Sequence, residues 1–135
     1  MKNLTMIVFA FILIGGCSDT VTNHYATRFD AEADRLFERG WLPIIIPASA
    51  KNITTSNNLD INISEGEFQY DPMETNSFLK HLTPYIERKM KVSRWQAQIA
   101  EHKKKGYEAL EYAAEGSIWI FLIKKIDGHV RYFML

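Results

Sequence analysis

The sequence predicts an α+β fold: an antiparallel sheet that includes a C-terminal three-strand meander, packed with about three helices. Three observations carry this expectation. Residues 107–135 hold three apolar runs separated by short polar turns. Three upstream stretches place helix-start or helix-stop residues around apolar positions at helical spacing. Between them, residues 52–70 alternate apolar and polar side chains with the period of a strand.

The chain starts Met1-Lys2-Asn3 and continues into the apolar run Leu4–Ile14, broken only by Thr5. A basic start, a short apolar stretch and small residues before a cut make the pattern of a secretory signal peptide. As a helix the apolar run spans only about 16 Å, against roughly 30 Å of hydrocarbon, so a signal peptide is favoured over a transmembrane helix. The residues that follow, Ile14-Gly15-Gly16-Cys17, resemble the bacterial lipobox. That resemblance implies a lipid thioether on Cys17 and cleavage just before it. Residues 1–16 are then the signal peptide, 17–26 the lipidated cysteine with a short tether, and 27–135 a single domain. Two or more acyl chains hold a protein firmly where one does not. The only cofactor expected is this covalent lipid. Ser18 in place of the inner-membrane retention Asp favours the outer membrane if the source is Gram-negative.

Cleavage leaves 119 of the 135 residues, enough for one core. The mature part carries 15 basic and 16 acidic side chains, which argues against a nucleic-acid partner. Cys17 is the only cysteine, so lipidation leaves no thiol for an intrachain disulfide, catalysis or metal binding.

A short strand is expected at Val21–Tyr25. Thr27-Arg28-Phe29-Asp30 reads as a capping box opening a helix over about 28–39, with Phe29, Ala33, Leu36 and Phe37 at helical spacing and Gly40 as the left-handed stop. Trp41–Pro47 is extended, because each proline pushes its predecessor out of the helical region. Ile44 and Ile46 should then point one way and Ile45 the other. Glu65–Tyr70 alternates as a strand ending at Asp71-Pro72. Helical patterns follow at Met73–Leu82, ended or kinked by Pro84, and from a Ser93–Gln96 capping box to Lys105, with Trp95 and Ile99 four apart and Gly106 beyond the end.

Strands are then expected at Tyr107–Ala114, Ser117–Ile126 and His129–Leu135, the last two joined by a two-residue type I′ turn at Asp127-Gly128. In that register Trp119, Phe121 and Ile123 share a face with Tyr132 and Met134, and Ile118, Ile120 and Leu122 share the other with Phe133 and Leu135. Both faces are apolar, so the central strand should be covered on both sides. The same register opposes Lys124 and Arg131, which is unfavourable unless they splay or the loop is longer.

Chemistry-bearing patterns are sparse. His24, His81, His102 and His129 show no metal-ligand spacing. Asn58-x-Asp60-x-Asn62 superficially suggests a calcium loop, but Ile63 stands where glycine is needed, so turn chemistry is the better reading. Glu65 and Glu67 fall on one strand face, ordinarily a solvated one. No nucleophile elbow, P-loop or dinucleotide motif is present. The candidate binding patch is the apolar stretch Trp41, Leu42, Ile44, Ile45 and Ile46, whose plain alternative is a role in the core. Trp41 is expected to be buried and at least one of the three isoleucines exposed.

Glu38-Arg39-Gly40-Trp41-Leu42-Pro43, Ile46-Pro47-x-Ser49-Ala50, Asn58-Leu59-Asp60-x-Asn62 and Gly66-x-Phe68 together resemble an uncharacterised family of small bacterial envelope proteins. The resemblance extends to the aromatic C-terminal hairpin and so covers most of the mature chain. It implies a recurring domain and lends no catalytic residue. The leading expectation is a membrane-anchored, non-enzymatic envelope lipoprotein that binds a protein partner or supports envelope structure. The alternatives are a membrane-tethered small-ligand binder or hydrolase-like enzyme using Asp60, Glu65 and Glu67, and an immunity-type inhibitor.

Overall fold

Three strands from residues 20–69 and the apolar runs of residues 108–134 pair into one sheet that dominates the described residues. A computed structural model describes residues 20–135; the signal peptide expected over 1–16 and the lipidation expected at Cys17 lie outside these residues. Seven strands, β1 (Thr20–Thr27), β2 (Lys51–Asn58), β3 (Ile63–Gln69), β4 (Thr83–Pro84), β5 (Glu108–Ala114), β6 (Ser117–Lys124) and β7 (His129–Met134), make one sheet. Its order is β1-β2-β3-β7-β6-β5-β4, and every neighbouring pair is antiparallel. Residues 20–26, expected as tether with a short strand, belong to edge strand β1.

The α+β expectation is therefore corrected to a sheet-dominated fold with a few short helices, α1 (Arg28–Ala33), α2 (Thr75–Leu79) and α3 (Ser93–Lys104). The physical reason is early termination. The Thr27–Asp30 capping box forms as expected. Arg35 then takes a left-handed φ of 59°. Leu36 N–H bonds the Ala31 carbonyl and Arg35 N–H the Glu32 carbonyl, the paired bonds of a Schellman stop. Trp41 N–H to the Leu36 carbonyl and Gly40 N–H to the Phe37 carbonyl repeat that stop, with Gly40 at φ 81°. The expected helix over 28–39 is thus the six residues of α1 followed by turns over residues 34–40. Leu36 is buried, while Phe29, expected on the apolar stripe, faces solvent.

The pattern over Met73–Leu82 also shortens, to a 3-10 turn at Pro72–Glu74 and the five residues of α2, and Pro84 lies in β4. In α3, Trp95 and Ile99 are buried as their spacing predicts, and Gly106 closes a third Schellman stop. Its expected capping box does not form. Val92 is the N-cap, and Gln96 Nε2 donates to the Arg88 carbonyl.

The three C-terminal strands stand where expected, in a different register. Lys124 pairs with His129, so four residues, not two, connect β6 and β7, and Gly128 N–H bonds the Lys124 carbonyl at 2.9 Å. Leu122, not Lys124, stands opposite Arg131, which removes the like-charge pair. A shift of two residues preserves which side chains share a face. Trp119, Phe121, Ile123, Tyr132 and Met134 accordingly line the core that also holds Leu36, Leu42, Ile46 and Phe78. Ile120, Leu122 and Phe133 pack on the other face with Trp95 and Ile99 of α3. The central strands are covered on both sides.

Candidate functional site

The segment between α1 and β2 carries the candidate binding residues, and it is a turn rather than a strand. Ile46 N–H bonds back to the Pro43 carbonyl at 3.4 Å, so the expected alternation of Ile44 and Ile46 against Ile45 fails. Trp41, Leu42 and Ile46 are buried, Ile45 is half-buried, and Ile44 is 74% exposed. Burial of Trp41 with exposure of one isoleucine agrees with expectation. The patch is thus mostly core, with Ile44 alone of the three isoleucines turned fully outward.

Three residues, Arg28, Trp119 and Ser49, fix this loop. The Arg28 guanidinium donates from Nη2 to the Ile44 carbonyl at 3.0 Å and from Nη1 to the Ile46 carbonyl. Its Nε pairs with Glu32 at 2.9 Å, and it lies 4.6 Å from the centroid of the Phe37 ring. Trp119 Nε1 donates to the Trp41 carbonyl at 3.1 Å, tying the loop to β6. Ser49 Oγ and N–H both donate to Glu74, and Ser49 Oγ accepts from Asp71 N–H, tying its far end to the 3-10 turn.

Ile44 stands between two clefts. One, of about 330 Å³, lies between the loop and the β5–β6 turn, with Pro43, Tyr112, Glu115 and Trp119 in its walls. The other, of about 340 Å³, is lined by Arg28, Glu32, Arg35, Phe37, Glu38 and Ile44. On its rim Arg35 grips Glu38 through bonds of 2.8 and 3.0 Å, which holds the Glu38 carboxyl below its ordinary pKa.

The carboxylates considered for catalysis do not converge. Glu65 accepts from Trp95 Nε1 at 2.5 Å and from Arg94, and Arg131 lies 3.6 Å away. It borders a cleft of about 250 Å³ near Thr20 and Ile61. Glu67 belongs to a separate hollow of about 140 Å³, where His129 Nε2 is 3.4 Å from it. His129 Nδ1 in turn meets Tyr107 Oη at 2.6 Å, and Tyr107 is raised above its ordinary pKa chiefly by burial. Asp60 lies in the β2–β3 turn, where Asn58 Oδ1 accepts from the backbone N–H groups of Asp60 and Ile61, the turn chemistry expected there. Among the described residues no group of three His, Cys, Asp or Glu side chains is placed to hold a metal ion. What sequence reasoning missed is Arg28, whose partners are 16 and 18 residues away and carry no side-chain signal.

No curated protein and no solved structure matches the chain. The envelope-family resemblance rests on motifs that all fall within residues 38–68, and its extension to the C-terminal hairpin lies beyond what a family match covers. The family model that does match is that of the YbbD head domain, over residues 19–69, a span that runs from β1 through β3 and contains the whole Ile44 loop.

Proposed function

We propose that the chain is a non-enzymatic envelope lipoprotein, anchored through Cys17, that binds a partner protein through the loop presenting Ile44. One observation carries the binding half: a large apolar side chain is 74% exposed on a backbone held by Arg28, between two clefts. A loop already fixed in shape loses little conformational entropy on binding, so its apolar contact converts into affinity. The lipobox-like Ile14–Cys17 supports the anchor, and Ser18 supports the outer membrane in a Gram-negative source.

The test is capture from the protein's own host with the lipidated full chain and its Ile44→Asp variant. The expected result is a defined protein retained by the wild type and lost from Ile44→Asp, with both chains equally folded. Equal retention by the two would place binding elsewhere. In parallel, Cys17→Ser should leave the membrane fraction after a carbonate wash; equal membrane recovery would refute the anchor.

A further inference from the structure

We infer that the β2–β3 turn is a membrane-contacting tip, in which Leu59 and Ile61 enter the interface of the bilayer that holds the lipid anchor; this rests on the anchored reading above. Thr20, the first described residue, pairs with Asn58, the residue before the turn. Thr20 and Ile61 line the same cleft, so this end of β1 and the turn are neighbours. Leu59 is 56% and Ile61 48% exposed, and Val21 beside them is exposed as well. The Cα atoms of Cys17 and Thr20 are separated by three peptide units, and so by at most about 11 Å. A lipid on Cys17 therefore holds this end of the sheet against the headgroups, because three residues cannot carry it further away.

Two large aliphatic side chains at the one end of the sheet that must meet lipid suit interfacial insertion. Asp60 between them, and the polar Asn58 and Asn62, keep the contact at headgroup depth. Asn58 Oδ1 accepts from Asp60 and Ile61 N–H and thereby satisfies backbone donors that would otherwise be costly near hydrocarbon. Arg94 lines the same cleft and presents a cation to lipid phosphates, although Glu65 shares it.

The experiment uses the full-length lipidated protein in vesicles of phosphatidylethanolamine and phosphatidylglycerol, with or without lipids brominated on the acyl chains. The native Trp41, Trp95 and Trp119 are all buried, so they give a steady background. Leu59→Trp adds a probe at the turn. Ile126→Trp adds one on the β6–β7 connection, at the opposite end of the sheet. The expected result is a blue shift and loss of Leu59→Trp emission with brominated lipid, and neither change for Ile126→Trp. Quenching absent or equal at the two positions, in protein whose mass shows lipid on Cys17, would overturn the tip and leave the anchor standing. Protein that carries no lipid and fails to float with vesicles would overturn the anchor and the tip together.

Discussion

The Arg28 guanidinium, at the first residue of α1, donates to the backbone carbonyls of both Ile44 and Ile46. A planar fork can bridge two carbonyls while its face covers the Phe37 ring; an ammonium cannot do both. Arg28→Lys should therefore behave nearly as badly as Arg28→Met. Each should cost about 1–2 kcal/mol in denaturant unfolding, the range of charge-assisted bonds at a partly exposed site. Hydrogen exchange at the Ile46 amide, bonded to Pro43 across the turn, should quicken in both. Unaltered exchange would mean the loop holds its shape without Arg28.

Ile44 and Ile46 are two residues apart and face opposite environments. Ile44→Asp should change stability by no more than about 0.5 kcal/mol, as surface substitutions do. Ile46→Asp puts a charge into a site only 2% exposed and should cost several kcal/mol, about enough to unfold a marginal domain. Urea midpoints for the pair decide it: equal large losses would make Ile44 part of the core and remove the binding surface.

The glycines rank by what a side chain would strike. A Cβ on Gly66 would lie 2.0 Å from the Thr54 carbonyl oxygen and 2.8 Å from the Tyr132 ring. On Gly128, at φ 73°, it would lie 2.0 Å from the Tyr70 carbonyl oxygen. On Gly116, at φ 82°, it would meet nothing. Gly116→Ala should cost about 1 kcal/mol, the strain of the left-handed region alone. Gly66→Ala and Gly128→Val should each cost about 3 kcal/mol, because backbone oxygens cannot move aside. If all three midpoints fall alike, the close approaches are not real constraints.

Local chemistry was legible where one residue type decides the backbone. The Thr27–Asp30 box, the left-handed Gly40, Gly106 and Gly128, and the two faces of β6 all follow from short patterns. The strand period survives even a wrong register, which is why the faces of Trp119, Phe121 and Ile123 stood despite the two-residue shift at Lys124. Helix length was not legible. Arg35 in a left-handed conformation is a stop without a sequence signal, and the burial of Leu36 outweighs continuation of the helix past Ala33. The Ile44 loop was half legible: prolines excluded a helix there, but the Pro43–Ile46 turn depends on an arginine from another element, and long-range pairing leaves no local trace.

Alkaline pH should weaken the fold through two buried phenols. Tyr25 Oη donates to Asp34, and burial first, then the bond and charge of Asp34, push its pKa up to about 12. Tyr132 is raised above its ordinary value chiefly by burial, with Ser64 Oγ 3.4 Å away opposing the shift. A phenol whose pKa is higher in the folded state keeps its proton while the unfolded chain loses it. Its contribution is complete below about pH 10, the unfolded value. It is lost progressively as pH rises from there toward about 12 for Tyr25. The measurement is the urea midpoint from pH 8 to pH 12 for wild type, Tyr25→Phe and Tyr132→Phe. Phenylalanine cannot ionise, so each variant should start less stable than wild type, having lost a hydroxyl contact, and then fall less steeply above pH 10. The slope difference isolates these phenols from lysines titrating in the same range, since the lysines are common to all three chains. Parallel curves for Tyr25→Phe and wild type would show that Tyr25 ionises as readily folded as unfolded, and that the Asp34 bond does not hold its proton.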